Sequence, residues 1–153
     1  MITIGKKVDD FSLPATGGKD FHLTQASGES VVLYFYPKDS TPGCTTEAGQ
    51  FRDLHGQFAQ LRCRIYGVSR DSMKSHENFK AKLALPFELL SDVEEKLCQG
   101  FAVIKLKKMY GKEVRGIERS TFLIDGRGVL RYEWRAVKAD GHAAEVLAAV
   151  KSL

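Results

Sequence analysis

Hydrophobic positions in this chain form two patterns, short unbroken runs and stripes that recur every three or four residues. The run Val31-Val32-Leu33-Tyr34-Phe35-Tyr36 is apolar throughout, which predicts a strand buried on both faces, as in a parallel or mixed sheet. Pro37 ends it, and Ile65-Tyr66-Gly67-Val68 repeats the signal. Phe11-Ser12-Leu13 and Phe21-His22-Leu23 instead alternate apolar and polar residues. With Gly17-Gly18 between them, they predict an early β-hairpin. A later pair, Ser120 to Asp125 and Val129 to Arg135, is joined by Gly126-Arg127-Gly128. Alternation places Leu130, Tyr132 and Trp134 on one face of the returning strand, as core, and Arg131, Glu133 and Arg135 on the other.

The stripe Ala48, Phe51, Leu54, Phe58, Leu61 predicts a helix with Thr41 as N-cap and Pro42 as its first residue. Gly49 and Gly56 interrupt it, each at a cost of roughly 1 kcal/mol relative to alanine. Ser72 to Leu83 reads as a second helix, with Phe79 and Leu83 inward and Pro86 beyond its end. Ser91 and Asp92 can cap a short third helix with Glu94 and Glu95 in its first turn and Val93, Leu97 and Phe101 as its stripe. Asp140 opens a last helix whose Ala143, Val146, Leu147 and Val150 face inward. The order βαβα, short helix, ββα implies one domain over residues 1–153: an α/β, thioredoxin-like fold, with a central mixed β-sheet flanked by helices and an N-terminal β-hairpin.

Composition narrows the function without fixing it. The chain has 153 residues, 43% hydrophobic and 27% charged, ordinary for a soluble globular protein. The net charge of +4 is mild and mostly dispersed, which gives little support to nucleic-acid binding. The start, Met1-Ile2-Thr3-Ile4-Gly5-Lys6-Lys7, lacks the apolar core of a signal peptide, and no run is long enough to cross a bilayer. Three widely spaced cysteines do not form a secreted disulfide framework, so a reducing, cytoplasmic setting is expected.

The chemistry concentrates at Cys44, in Pro37-Lys38-Asp39-Ser40-Thr41-Pro42-Gly43-Cys44-Thr45-Thr46-Glu47. With Thr41 as N-cap, Cys44 is the third helical residue. Its sulfur there faces free backbone N–H groups and the positive end of the helix dipole, which favour thiolate over thiol. The Thr41 hydroxyl is placed to donate toward the sulfur or a bound oxygen, and Pro37 and Pro42 stiffen and shield the loop. A free cysteine is more often a small buried hydrophobe, but that role needs no Thr-Pro-Gly entrance.

Pro37-x-x-x-Thr41-x-x-Cys44 resembles the active-site motif of peroxiredoxins, and the stretch from Tyr34 to Glu47 is similar to the bacterioferritin-comigratory, or Q-type, subfamily. Gly67-Val68-Ser69-Arg70-Asp71-Ser72, Phe87-Glu88-Leu89-Leu90-Ser91-Asp92 and Arg119-Ser120-Thr121-Phe122-Leu123-Ile124-Asp125 are similar to its further motifs, so the likeness spans nearly the whole chain. The resemblance implies thiol-dependent reduction of hydrogen peroxide and organic hydroperoxides, without metal or organic cofactor, by a monomer. It makes Cys44 the peroxidatic cysteine, Thr41 the hydroxyl that contacts peroxide, Pro37 the loop proline and Arg119 the arginine facing the sulfur. Glu47 resembles the acid that orients this arginine, with a solvated helix residue as the competing reading. Cys44 would be oxidised to sulfenic acid and recycled by thioredoxin or another thiol.

The chain departs from the subfamily at recycling. Many members carry a resolving cysteine five residues after the peroxidatic one, where this chain has Gly49, and others carry it on the next helix, where His76 to Leu83 has none. Cys98, beside the stripe of the third helix and expected to be partly exposed, is one candidate partner. Cys63, flanked by Arg62 and Arg64 and expected to be structural, is another. Either would need its Cα within about 7 Å of that of Cys44; the alternative is direct attack by an external thiol. Gly49 either eases unwinding of the helix or permits close packing. The basic segment Lys105-Leu106-Lys107-Lys108-Met109-Tyr110-Gly111-Lys112 reads as a solvated loop or a docking site for an acidic reductant. His22, His55, His76 and His142 are scattered, without metal-ligand spacing, and are expected at the surface or at caps. A thiol–disulfide oxidoreductase shares the fold class but needs Cys-x-x-Cys, and position 47 is glutamate. A cysteine hydrolase would need a histidine base near the sulfur.

Overall fold

The computed structural model describes residues 2–153, with the side chain of Met109 left aside. A hairpin of β1 (Ser12–Ala15) and β2 (Lys19–His22) comes first, followed by a 3-10 turn at Leu23–Ala26. Then β3 (Ser30–Phe35), α1 (Pro42–Gln60), β4 (Cys63–Ser69), α2 (Met73–Leu83) and β5 (Glu88–Ser91) form two crossover units. After α3 (Lys96–Gly100) come β6 (Ile104–Met109), β7 (Lys112–Ile117), β8 (Ser120–Ile124), β9 (Leu130–Trp134) and α4 (His142–Lys151).

Seven strands form one sheet in the order β2-β1-β5-β4-β3-β8-β9, while β6 and β7 form a separate ribbon. β3 pairs parallel with β4 and antiparallel with β8, so it lies inside a mixed sheet. The unbroken apolar run follows from that position. Val31, Leu33 and Phe35 point into a cluster with Leu97, Cys98 and Phe101 of the α3 region. Val32, Tyr34 and Tyr36 point into a second cluster under α1, α2 and α4, with Phe51, Phe79 and Val146. Because a strand emerging on each face needs cover on both, helices lie on both sides, the arrangement expected of the thioredoxin-like class.

Four local expectations change. Leu130 does not share a face with Tyr132 and Trp134: a register shift opposite Leu123 and Ile124 pairs Ile124 with Leu130 but Leu123 with Tyr132. The extra residue turns Leu130 into one core cluster while Trp134 packs on the other. The third helix starts later than expected, at Lys96, because the Asp92 side chain accepts hydrogen bonds from the Leu97 and Cys98 amides. Val93, outside that helix, is 63% exposed. The segment from Lys105 to Lys112 is the ribbon β6–β7 rather than a loop, reversed at Tyr110 and Gly111, both at positive φ. His76 and His142 are buried rather than at the surface.

Candidate active site

The C-terminal end of β3 delivers the chain to the site. Pro37 blocks continuation of the strand, and the loop turns through Ser40 at φ 63 before α1 begins with Thr41 as N-cap and Pro42 as its first residue. Cys44 follows in the first turn, where main-chain amides have no helical partner. It is 1% exposed, packed among Tyr34, Tyr36, Ala48 and Phe51. Pro37 and Pro42 are both exposed at the rim of this loop. The Thr41 hydroxyl donates to the Lys38 carbonyl at 2.9 Å and closes the loop on itself, rather than donating to the sulfur.

Arg119 lies in the short link between β7 and β8. Its carbonyl is held by the Val137 amide at 2.9 Å. One arm of its guanidinium, Nη2, donates to Cys44 Sγ at 3.4 Å, and the other, Nη1, donates to Glu47 Oε1 at 2.6 Å. Glu47 is fully buried rather than a solvated helix residue. Burial pushes its pKa up to about 7, with the charge and hydrogen bond of Arg119 pulling the other way. The fork therefore places a fixed positive charge beside a sulfur that would carry negative charge as thiolate.

Two neighbours escaped the sequence reading. A Cβ on Gly43 would stand 3.0 Å from Arg119 Nη2, so the glycine gives the guanidinium its room. Tyr34 stacks on Phe51 at 4.7 Å between ring centroids, and its hydroxyl is buried without a partner; burial and the nearby Glu47, Cys44 and Asp39 charges push its pKa well up. Gly43 lay within the quoted motif, but its contact is made by a residue far along the chain. Tyr34 was legible only as core.

A buried polar cluster braces the loop from behind. Asp39 accepts from the Tyr36 hydroxyl at 2.6 Å and from Ser75 at 2.8 Å, and contacts His76 Nδ1 at 2.7 Å. Burial would raise the Asp39 pKa, but its bonds to His76, Tyr36 and Ser75 hold it below the usual carboxylate range. His76 Nε2 meets the Leu90 carbonyl at 2.9 Å, which requires a proton there, and the ionised Asp39 faces Nδ1. His76, carried on α2, thus ties the loop through Asp39 to β5 through the Leu90 carbonyl. Ligand atoms of Asp39, Asp71 and His76 lie within 4.8 Å of one another, close enough for a metal. They are already engaged with one another and with Ser69 and the Asp39 amide.

The other two thiols stay away from the site. Cys98 is 0% exposed in the opposite core cluster, not partly exposed as expected, and burial, with help from Asp92, pushes its pKa well up. Cys63 is 3% exposed at the start of β4, where burial pushes its pKa up to about 12. All three cysteines are free. Nor is Gly49 packed tightly: a Cβ there would meet only Arg52 Nη2, at 3.6 Å.

A sheet of this topology with a lone cysteine at the entrance of α1 and an arginine beside it defines a thioredoxin-fold thiol enzyme. Comparison with known proteins narrows the class. Residues 4–133 match the AhpC/TSA family. Peroxiredoxin Bcp of Bacillus subtilis is 54% identical over 152 residues, covering 99% of this chain and 97% of the relative. Peroxiredoxin Bcp of Xanthomonas campestris pv. campestris is 53% identical over 143 residues, 94% and 89% of the two chains. Among solved structures, a bacterioferritin comigratory protein of Xanthomonas campestris, described for alkyl peroxide reduction activity, superposes with a TM-score of 0.89 at 52% identity, covering 93% of this chain and 90% of that one. A PrxQ mutant of Xylella fastidiosa superposes with a TM-score of 0.95 at 44% identity, covering 99% and 97%. The chain belongs to the AhpC/TSA family and, within it, to the Bcp, or Q-type, peroxiredoxins.

Proposed function

We propose that the protein is a thiol-dependent peroxidase acting on hydrogen peroxide and organic hydroperoxides through Cys44. The observation that carries this reading is the forked contact of Arg119, with Cys44 Sγ on one arm and buried Glu47 on the other. The thiolate attacks one peroxide oxygen, the O–O bond breaks with its electron pair leaving on the other oxygen, and that oxygen takes a proton to depart as water or alcohol. Cys44 becomes a sulfenic acid. Arg119, prevented from swinging by Glu47, donates to the oxygen on which charge develops, where a preorganised donor lowers the barrier. Pro37 shapes the loop, and the Thr41 hydroxyl contacts the peroxide after turning from the Lys38 carbonyl.

An external thiol, thioredoxin or another donor, then attacks the Cys44 sulfur, releasing water and leaving a mixed disulfide. A second thiol displaces Cys44, so two thiols are oxidised to one disulfide for each peroxide reduced. Supporting the external route, Cys63 and Cys98 are buried away from the site. Three free cysteines suit a reducing compartment such as the cytoplasm, and among the described residues no helix is long and apolar enough to cross a membrane.

The test is peroxide consumption with dithiothreitol as reductant. Cys44→Ser abolishes turnover while the thermal unfolding midpoint stays within a few degrees; substantial residual turnover would sink the assignment. Reduction of insulin disulfides without peroxide turnover would establish the alternative, a thiol–disulfide oxidoreductase.

A further inference from the structure

The ribbon β6–β7 lies outside the site and carries three like charges on one face. Cross-strand partners share a face, and the register pairs Lys105 with Gly116, Lys107 with Val114 and Met109 with Lys112. Lys105, Lys107 and Lys112 therefore project from the same side, around Val114, which is 43% exposed. Glu113, the ribbon's only acid, pairs with Lys108 on the opposite side. That opposite side is fastened to the body: Arg115 pairs with Glu95, which also holds Arg70 at 2.9 Å. Among the described residues no carboxylate pairs with the three lysines. Like charges gathered on one face repel, so folding alone gives no reason for the arrangement.

Position links this face to the chemistry. β7 runs out at Ile117, just before Arg119, and β8 begins by pairing Ser120 with Phe35 at the end of β3 that leads to Cys44. The ribbon thus springs from the end of the sheet that holds the sulfur. With Cys63 and Cys98 buried, the thiol that recycles Cys44 must come from outside and approach this end.

We propose that the face formed by Lys105, Lys107 and Lys112 is the docking surface for an acidic protein dithiol that reduces oxidised Cys44. The proposal rests on the peroxidase reading above. Complementary charge at the rim of an encounter surface speeds association and is weakened by salt.

Two electron donors separate docking from chemistry. Rates are measured at saturating peroxide with dithiothreitol, or with a bacterial thioredoxin of acidic isoelectric point and its reductase. In the triple variant Lys105→Glu, Lys107→Glu, Lys112→Glu, KM for thioredoxin rises about tenfold or more, while the dithiothreitol rate is unchanged. The parent's KM rises with added salt and the variant's does not. An unchanged KM with no salt dependence overturns the docking surface and leaves the peroxidase reading standing. Retention of duplex DNA by the parent but not the variant, with KM unchanged, also overturns it and assigns the face to a polyanion. If the triple variant fails to fold, Lys107→Gln and Lys112→Gln with the parent's salt profile decide the same question. A parent that turns over no peroxide with dithiothreitol overturns the peroxidase reading and the docking proposal with it.

Discussion

Arg119 joins two buried groups with one planar cation, and no other side chain has that shape. Arg119→Ala is expected to slow the reaction of Cys44 with peroxide by about a hundredfold or more, read by stopped-flow. Arg119→Lys restores charge without the fork and should recover only part of the rate. Glu47 gives a second readout. Its pKa is raised to about 7 from an unfolded value of 4.5, so between those values the folded chain holds a proton that the unfolded chain has released. Its contribution to stability is complete below about pH 4.5 and is lost as pH rises through about 7. Glu47→Gln lacks that loss and should gain on the parent by about 2 kcal/mol between pH 5 and pH 8; parallel urea curves for the two proteins at both pH values would refute this. Cys44, Arg119 and Glu47 were legible because a motif and its spacing name residue types. The orientation of Thr41 and the room left by Gly43 were not, since each depends on what a turn or a distant strand brings alongside.

In α1 a Cβ at position 49 would make only an ordinary contact with the end of the Arg52 side chain, so the glycine is a weak point and not a packing requirement. Gly49→Ala should stabilise the protein by about 0.5–1 kcal/mol, measured by urea unfolding. If α1 must open for a thiol to reach Cys44, the same change slows recycling by dithiothreitol and leaves the peroxide step unaltered; an unchanged recycling rate means the thiol reaches the sulfur in the closed helix. On the other side of the loop, His76→Ala removes a hydrogen-bond partner of buried Asp39 and should cost about 1–3 kcal/mol. A loss below 1 kcal/mol would show that the pair does not brace the loop. The helices and central strands could be read because their periods are long and clean. The ribbon β6–β7 was hidden by lysines at alternate positions, which resemble a solvated loop when no partner strand is in view. The bulge in β9 could not be read at all, because its cause is a register with β8.

The two core layers also sort the thiols. β3 sends Val32, Tyr34 and Tyr36 toward Cys44 and Val31, Leu33 and Phe35 toward Cys98, so the sheet itself stands between those two cysteines. After one equivalent of peroxide, non-reducing peptide mapping should find Cys63 and Cys98 as thiols and Cys44 as sulfenic or sulfinic acid. A Cys44–Cys98 or Cys44–Cys63 linkage would instead require α1 or α3 to unfold during turnover. Layer order and sheet class followed from the pattern of apolar runs. The burial of Cys98 did not, because a five-residue helix seated over a sheet buries more of its circumference than a single stripe suggests.

The near-complete enclosure of Cys44 sets two different clocks. If the entrance of α1 must move before a protein thiol can reach the sulfur, and a small peroxide need not wait for it, attack and recycling run at different rates. In that case oxidised molecules accumulate faster than they are cleared during a surge of peroxide. For that interval the protein behaves less like a catalyst than like a one-use dosimeter, and the fraction oxidised records how much peroxide has passed.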